Sequence, residues 1–141
     1  EVLVPESVYK EVTIGDKPQA TRLSDYLKDK VRKVDMQGYV YLDAYADAGE
    51  TEAMLLYKQI SADRLLIDDK RGRKVAKINN ITVIGSLGVL LAAKKAGIIS
   101  EVASSIDRIS KSAVYLDQTL VVAVLEIAGE SYGGREIESD V

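Results

Sequence analysis

The order of apolar runs and amphipathic stretches predicts an α/β fold around a parallel sheet. Three observations carry this. Short apolar runs alternate with helical stretches along the chain, as in strand–helix–strand crossovers. The runs at residues 64–67 and 81–84 are not interrupted by polar residues at every second position, which is how strands covered on both faces read. Asp68, Asp69, Gly85 and Ser86 stand at the ends of those runs, where open parallel sheets place their sites.

The elements follow in order. Residues 2–4 are a short apolar run. Pro5 then opens a helical turn that continues to Val12, because proline suits the first helical position. Gly15 interrupts it and Pro18 opens a second helix. Ala20, Leu23, Leu27 and Val31 recur at spacings of three and four, one apolar stripe. Residues 39–42 (YVYL) read as a short strand. Asp47, Ala48 and Gly49 turn the chain into a helix from about Glu50 to Ile60, with Glu50 and Glu52 in a first turn that favours negative charge. Residues 64–67 form a strand. Lys70 to Ile78 forms a helix closed by Asn79 and Asn80, and residues 81–84 form another strand. Gly85 and Ser86 lead into an apolar helix that stops at Gly97. Val102, Ile106, Ile109 and Ala113 form the stripe of a further helix. Asp117 caps the last helix and Gly129 ends it. From Glu130 the chain reads ESYGGREIESDV, a polar tail.

Composition narrows the chemistry. The chain has 141 residues, 47% hydrophobic and 29% charged, enough for one domain with a core. Its net charge of −3 gives no global attraction to nucleic acid, so any basic surface is local. Cysteine and histidine are both absent. That excludes a Ser-His-Asp triad, a Cys-His pair and a zinc site of the usual Cys/His type. A bound metal would need oxygen ligands, which favours Mg²⁺, Mn²⁺ or Ca²⁺. No apolar run is long enough to span a bilayer.

The segment LLIDDKRGRKVAK concentrates the remaining signals. Asp68 and Asp69 end a strand, Glu50 and Glu52 open the preceding helix, and Glu11 ends the first. A crossover can bring such groups to one edge of the sheet. Clustered carboxylates repel one another unless a cation joins them, which is the arrangement for metal-assisted phosphodiester hydrolysis. The competing reading is a set of solvated caps and turn residues. Lys70, Lys74 and Lys77 fall on one helical face with Arg73 beside it. They suit nucleic-acid phosphates, or else form a solvated face that offsets the two aspartates. Gly85-Ser86-Leu87-Gly88 could present backbone amides to a phosphate but lacks the lysine of a full phosphate loop. The apolar faces of residues 86–93 and 120–127 read as core, with a share available to a dimer. Paired acids after an apolar run also suggest a phospho-acceptor receiver, but no third acid and no late lysine follow at the right distances.

Four motifs in order, VPESVYKEV, DAGETEAMLL, LLIDDKRGRKVAK and ITVIGSLGVLLAAKKAGII, resemble the PIN-like domains, in particular a branch of predicted nucleic acid-binding and toxin-like proteins. The resemblance spans most of residues 2–130. It implies a three-layer α/β/α sandwich with a parallel sheet, a single domain over residues 1–130 and a flexible tail at 131–141. It also implies a cytoplasmic, Mg²⁺- or Mn²⁺-dependent ribonuclease acting on RNA, often the toxin of a toxin–antitoxin pair, with an antitoxin and a second copy as partners. The metal ligands implied are Glu11, Glu52 (Glu50 as second choice) and Asp69 or else Asp68, the other aspartate completing the catalytic acids. Lys70, Arg71, Lys74 and Ser86 would meet the RNA. The family pattern opens with a strand ending in an aspartate ahead of the VP motif. This chain starts at Glu1 and enters VLVPESVYKEV directly, so that strand and its acid are expected to be missing. The alternative function is a PIN-like scaffold that binds nucleic acid or a protein without cutting.

Overall fold

The computed structural model describes residues 1–35 and 48–131. The predicted strand at 39–42, the turn residue Asp47 and the tail from 132 onward lie outside the described residues. The chain divides into two compact units, Glu1–Ile84 and Gly85–Val141.

The first unit is α/β with parallel strands, as the sequence predicts. It contains β1 (Val4–Pro5), α1 (Glu6–Val12), α2 (Ala20–Leu27), β2 (Val31–Arg32), α3 (Ala48–Gln59), β3 (Leu65–Leu66), α4 (Lys70–Ile78) and β4 (Val83–Ile84). β1 pairs with β2 in parallel, Val4 beside Val31 and Pro5 beside Arg32. β3 pairs with β4 in parallel, Leu65 beside Val83 and Leu66 beside Ile84. α3 packs against both β1 and β3.

Local chemistry accounts for most boundaries. Pro5 is the extended residue before α1, at φ −73° and ψ 157°, so the helix starts at Glu6, one position later than predicted. Asp69 caps α4 by accepting the Gly72 N–H at 2.8 Å, which satisfies one of the unpaired amides of a helix start. At the other end Asn79 donates its side-chain amide to the Val75 carbonyl at 3.0 Å. Asn80 then takes φ +57°, a left-handed conformation that asparagine tolerates better than most residues.

Val31 and Leu66 depart from expectation. Val31 does not continue the α2 stripe. The helix stops at Leu27, and the Val4 N–H reaches the Lys30 carbonyl at 3.0 Å. That bond makes Val31 part of a strand, where its β-branched side chain fits. Leu66 was expected to be buried, yet it is 60% exposed.

Met54, Leu55, Val75, Ala76 and Ile81 form the core of this unit, with Leu65, Ile67 and Val83 packed on it. Met54 is completely buried; a side chain of that size stabilises by about 1.5–3 kcal/mol when removed from water. The core therefore fixes α3 and α4 against β3, and with them the residues at their N-terminal ends.

The second unit contains α5 (Ser86–Lys95), α6 (Ala103–Ser110) and α7 (Gln118–Ile127) around Leu87, Val102, Ile106, Val121, Val124 and Leu125. Asp117 caps α7 by accepting from the Thr119 and Leu120 amides at 2.9 and 3.3 Å. Gly97 and Gly129 follow their helices at φ +73° and +71°, where a Cβ would be strained. Ala113 lies beyond the end of α6 and is exposed, so the predicted stripe is one turn too long. Glu130, expected to begin the loose tail, is tied down. Its carboxylate accepts from the Val102 and Ala103 amides at 2.9–3.1 Å and from Lys94 Nζ at 2.8 Å. Lys94 also donates to the Ala128 carbonyl at 2.6 Å. These bonds clamp the end of α7 to α5 and to the start of α6. The lysine hydrogen bond, then the two amides, hold the Glu130 carboxyl down at about 2.

Candidate functional site

Parallel pairing puts the carboxyl ends of paired strands side by side. Glu6 leaves β1 and Lys33 follows β2. Asp68 and Asp69 follow β3. The first turns of α3 carry Glu50 and Glu52. These two positions lie about 200° apart around a helix, so their side chains serve different neighbours.

Glu50 faces the start of α4. A Cβ built on Gly72 would fall 2.8 Å from Glu50 Oε1 and collide with Ile67 Cδ1. Glycine at 72 therefore leaves room for the Glu50 carboxylate beside the helix start. Asp69 accepts the amide of the same Gly72 at 2.8 Å. Two carboxylates thus crowd one glycine at the N-terminus of α4, where the helix dipole favours negative charge. Asp68 precedes them and is exposed.

Glu52 faces the other way. With Glu6, Lys33 and Val34 it lines an open cleft of about 240 Å³. Glu11 is exposed near the end of α1, where its carbonyl accepts from Lys17 Nζ at 3.1 Å. The predicted acids are therefore distributed. Asp69 is joined by Glu50, the second-choice residue, while Glu52 is joined by Glu6. Among the described residues no three acidic side chains come together as a metal-ion site.

The predicted cations take the predicted face. Lys70, Lys74 and Lys77 are exposed, while Gly72, Val75 and Ala76 turn to the core. Arg71 is exposed as well, and Arg73 is half-buried. A block of positive charge thus begins one residue after Asp69. Ser86 is the first residue of α5, half-buried, after Gly85 in extended conformation.

A family model described as a PIN domain matches residues 1–130. The chain belongs to the PIN domain family. Among curated proteins and solved structures nothing matches it. Membership accounts for the alternation of parallel strands and helices and gives the chain a nuclease-like fold.

PIN domains generally use divalent metal ions. The described carboxylates of this PIN domain do not by themselves make a three-acid set for such an ion. Sequence reasoning passed over two residues of the cleft. Glu6 reads in sequence only as part of the first helix, although it directly follows an apolar run, as Asp68 does. Lys33 was hidden because Val31 fits the stripe of α2. No helix among the described residues is long and apolar enough to cross a membrane.

Proposed function

We propose that this PIN domain is an RNA-binding endoribonuclease dependent on Mg²⁺ or Mn²⁺, and that residues 1–130 act as one domain. The observation that carries the reading is the juxtaposition at the start of α4. Glu50 and Asp69 crowd Gly72, and the exposed Lys70, Arg71 and Lys74 follow at once. Cations there hold phosphates of the RNA backbone, and ionised carboxylates beside them orient water toward a phosphorus atom. Asp69 with Glu50 beside it forms the proposed metal-holding pair, with Asp68 as a further catalytic acid and Ser86 as a further RNA contact; Glu11 and Glu52, the other acids expected to hold metal, do not join them in a three-acid group among the described residues. Such an enzyme would work in the cytoplasm, as the toxin of a toxin–antitoxin pair held in check by an antitoxin protein, and as a homodimer.

A second reading, a PIN scaffold that binds nucleic acid without cutting, is favoured by one specific observation. The described residues bring no three acids together. Cleavage of single-stranded RNA separates the two. The nuclease reading expects cleavage that needs Mn²⁺ and is lost in Asp69→Asn, while Lys74→Glu weakens RNA binding by roughly tenfold and flattens its salt dependence. RNA binding without cleavage at any Mn²⁺ concentration would leave the scaffold. Unchanged affinity in Lys74→Glu would remove α4 from the interface.

A further inference from the structure

We propose that residues 26–33 form a second contact for single-stranded RNA. In it Tyr26 stacks an unpaired base, and Lys30 and Arg32 hold neighbouring phosphates. The proposal rests on the RNA-binding reading above and extends it to a surface on α2 and β2.

The segment reads YLKDKVRK, four cations to one acid in a chain of net charge −3. It is the structure that makes it a surface. α2 buries Ala20 and Leu27 and leaves Tyr26 53% exposed. The helix is held to α1 by the hydroxyls of Ser24 and Tyr9, 3.2 Å apart, so Tyr26 stands on an anchored element. Lys30 Nζ sits 4.5 Å from the centre of the Tyr26 ring, close enough for a cation–π attraction that orients both groups. The ammonium covers one face of the exposed ring, so a base would stack on the other, with the cation within one nucleotide's reach of a phosphate, the combination that single-strand binders use.

Arg32 extends the surface along β2. Its Nη1 donates to the carbonyls of Asp29 and Val31 at 3.2 and 3.0 Å. A guanidinium has five donors, so these bonds position the group and leave donors for a phosphate. The next residue, Lys33, lines the cleft with Glu6 and Glu52. Stacking platform, phosphate contacts and cleft therefore follow one another along a continuous stretch of chain. Asp29 pairs with Lys30 at 3.3 Å and moderates the charge without cancelling it.

The test is fluorescence anisotropy of the full chain with labelled oligouridine, in chelator so that cleavage does not intervene. Tyr26→Ala is expected to weaken binding roughly fivefold or more, and Tyr26→Phe to stay within about twofold, because stacking needs the ring and not the hydroxyl. The effect should be smaller on a duplex, whose bases are already stacked. The pair Lys30→Ala and Arg32→Ala should reduce the slope of log affinity against log salt by about 1.4, two single-strand phosphates' worth. Circular dichroism of each variant checks the fold. If Tyr26→Ala stays within about twofold and the salt slope does not move, while Lys74→Glu still weakens binding, residues 26–33 are only a solvated face. A parent chain that binds no RNA overturns this proposal and the RNA-binding reading together.

Discussion

Replacing Asp69 separates the structural from the chemical role of the residue that opens α4. Its carboxylate accepts the Gly72 N–H at 2.8 Å. Asparagine keeps an acceptor oxygen in that place and caps helices about as well as aspartate does. What Asp69→Asn removes is charge. Loss of the favourable interaction with the helix dipole costs about 0.3–1 kcal/mol. Relief of repulsion acts in the opposite direction, because the Glu50 carboxylate crowds the same glycine. The two effects nearly cancel, so Asp69→Asn should unfold within about 0.5 kcal/mol of the parent. Asp69→Ala deletes the acceptor and leaves the amide of a buried residue without it. That substitution should cost about 1 kcal/mol, in the range 0.5–2. Urea denaturation followed by circular dichroism reads both values, provided the slopes of the transitions agree. The reasoning is refuted if asparagine is as damaging as alanine, or if alanine costs nothing.

Further outcomes follow from the two cores and the Glu130 clamp. Met54→Ala should lose about 2–5 kcal/mol, because a completely buried side chain leaves a cavity in the core; a change under about 1 kcal/mol in urea denaturation would show that the core around α3 is not packed as described. The Glu130 carboxyl is held down at about 2 against an ordinary value of 4.5, chiefly by Lys94. A depressed acid contributes its full stability above its unfolded value and loses it as pH falls through the folded one. Thermal stability should therefore decline between about pH 4.5 and 2 through this group. Glu130→Gln should lower the melting temperature at neutral pH and shrink that decline; equal acid sensitivity in parent and variant would detach the clamp from the acid response.

Much of the fold is legible because the signals are local. Asp117, Gly97, Gly129 and the Asn79-Asn80 pair mark helix ends through bonds and backbone angles that involve only near neighbours. β2 is hidden for the opposite reason. Two residues are too few to show a period, and Val31 becomes a strand only through pairing with Val4, 27 positions away in the chain (31 minus 4). The clamp at Glu130 is equally non-local, since its partners Lys94, Val102 and Ala103 meet it only when the three helices pack.

The site divides along the same line. Asp68 and Asp69 can be placed at a strand end because the apolar run stops there. Which glutamate of α3 joins Asp69 depends on how the helix is rotated against α4. The rotation is set by Met54 and Leu55 entering the core with Val75 and Ala76. It turns Glu50 toward Gly72 and Glu52 toward the cleft at Glu6 and Lys33. The acids read as one cluster in sequence thus part, Glu50 and Asp69 at the start of α4, Glu52 in the cleft and Glu11 near the end of α1. The cations of α4 were easier, because a face carrying Lys70, Lys74 and Lys77 opposite Gly72, Val75 and Ala76 leaves one orientation that buries apolar groups.

The most direct test of the nuclease reading is Mn²⁺ binding, measured by titration calorimetry on this chain and on Asp69→Asn. The account predicts heat of binding for the parent and its loss in the variant, whose fold remains intact by the argument above. No binding to the parent, or equal binding to both, would contradict an acidic metal site at the start of α4 and leave a PIN domain that holds RNA without cutting it.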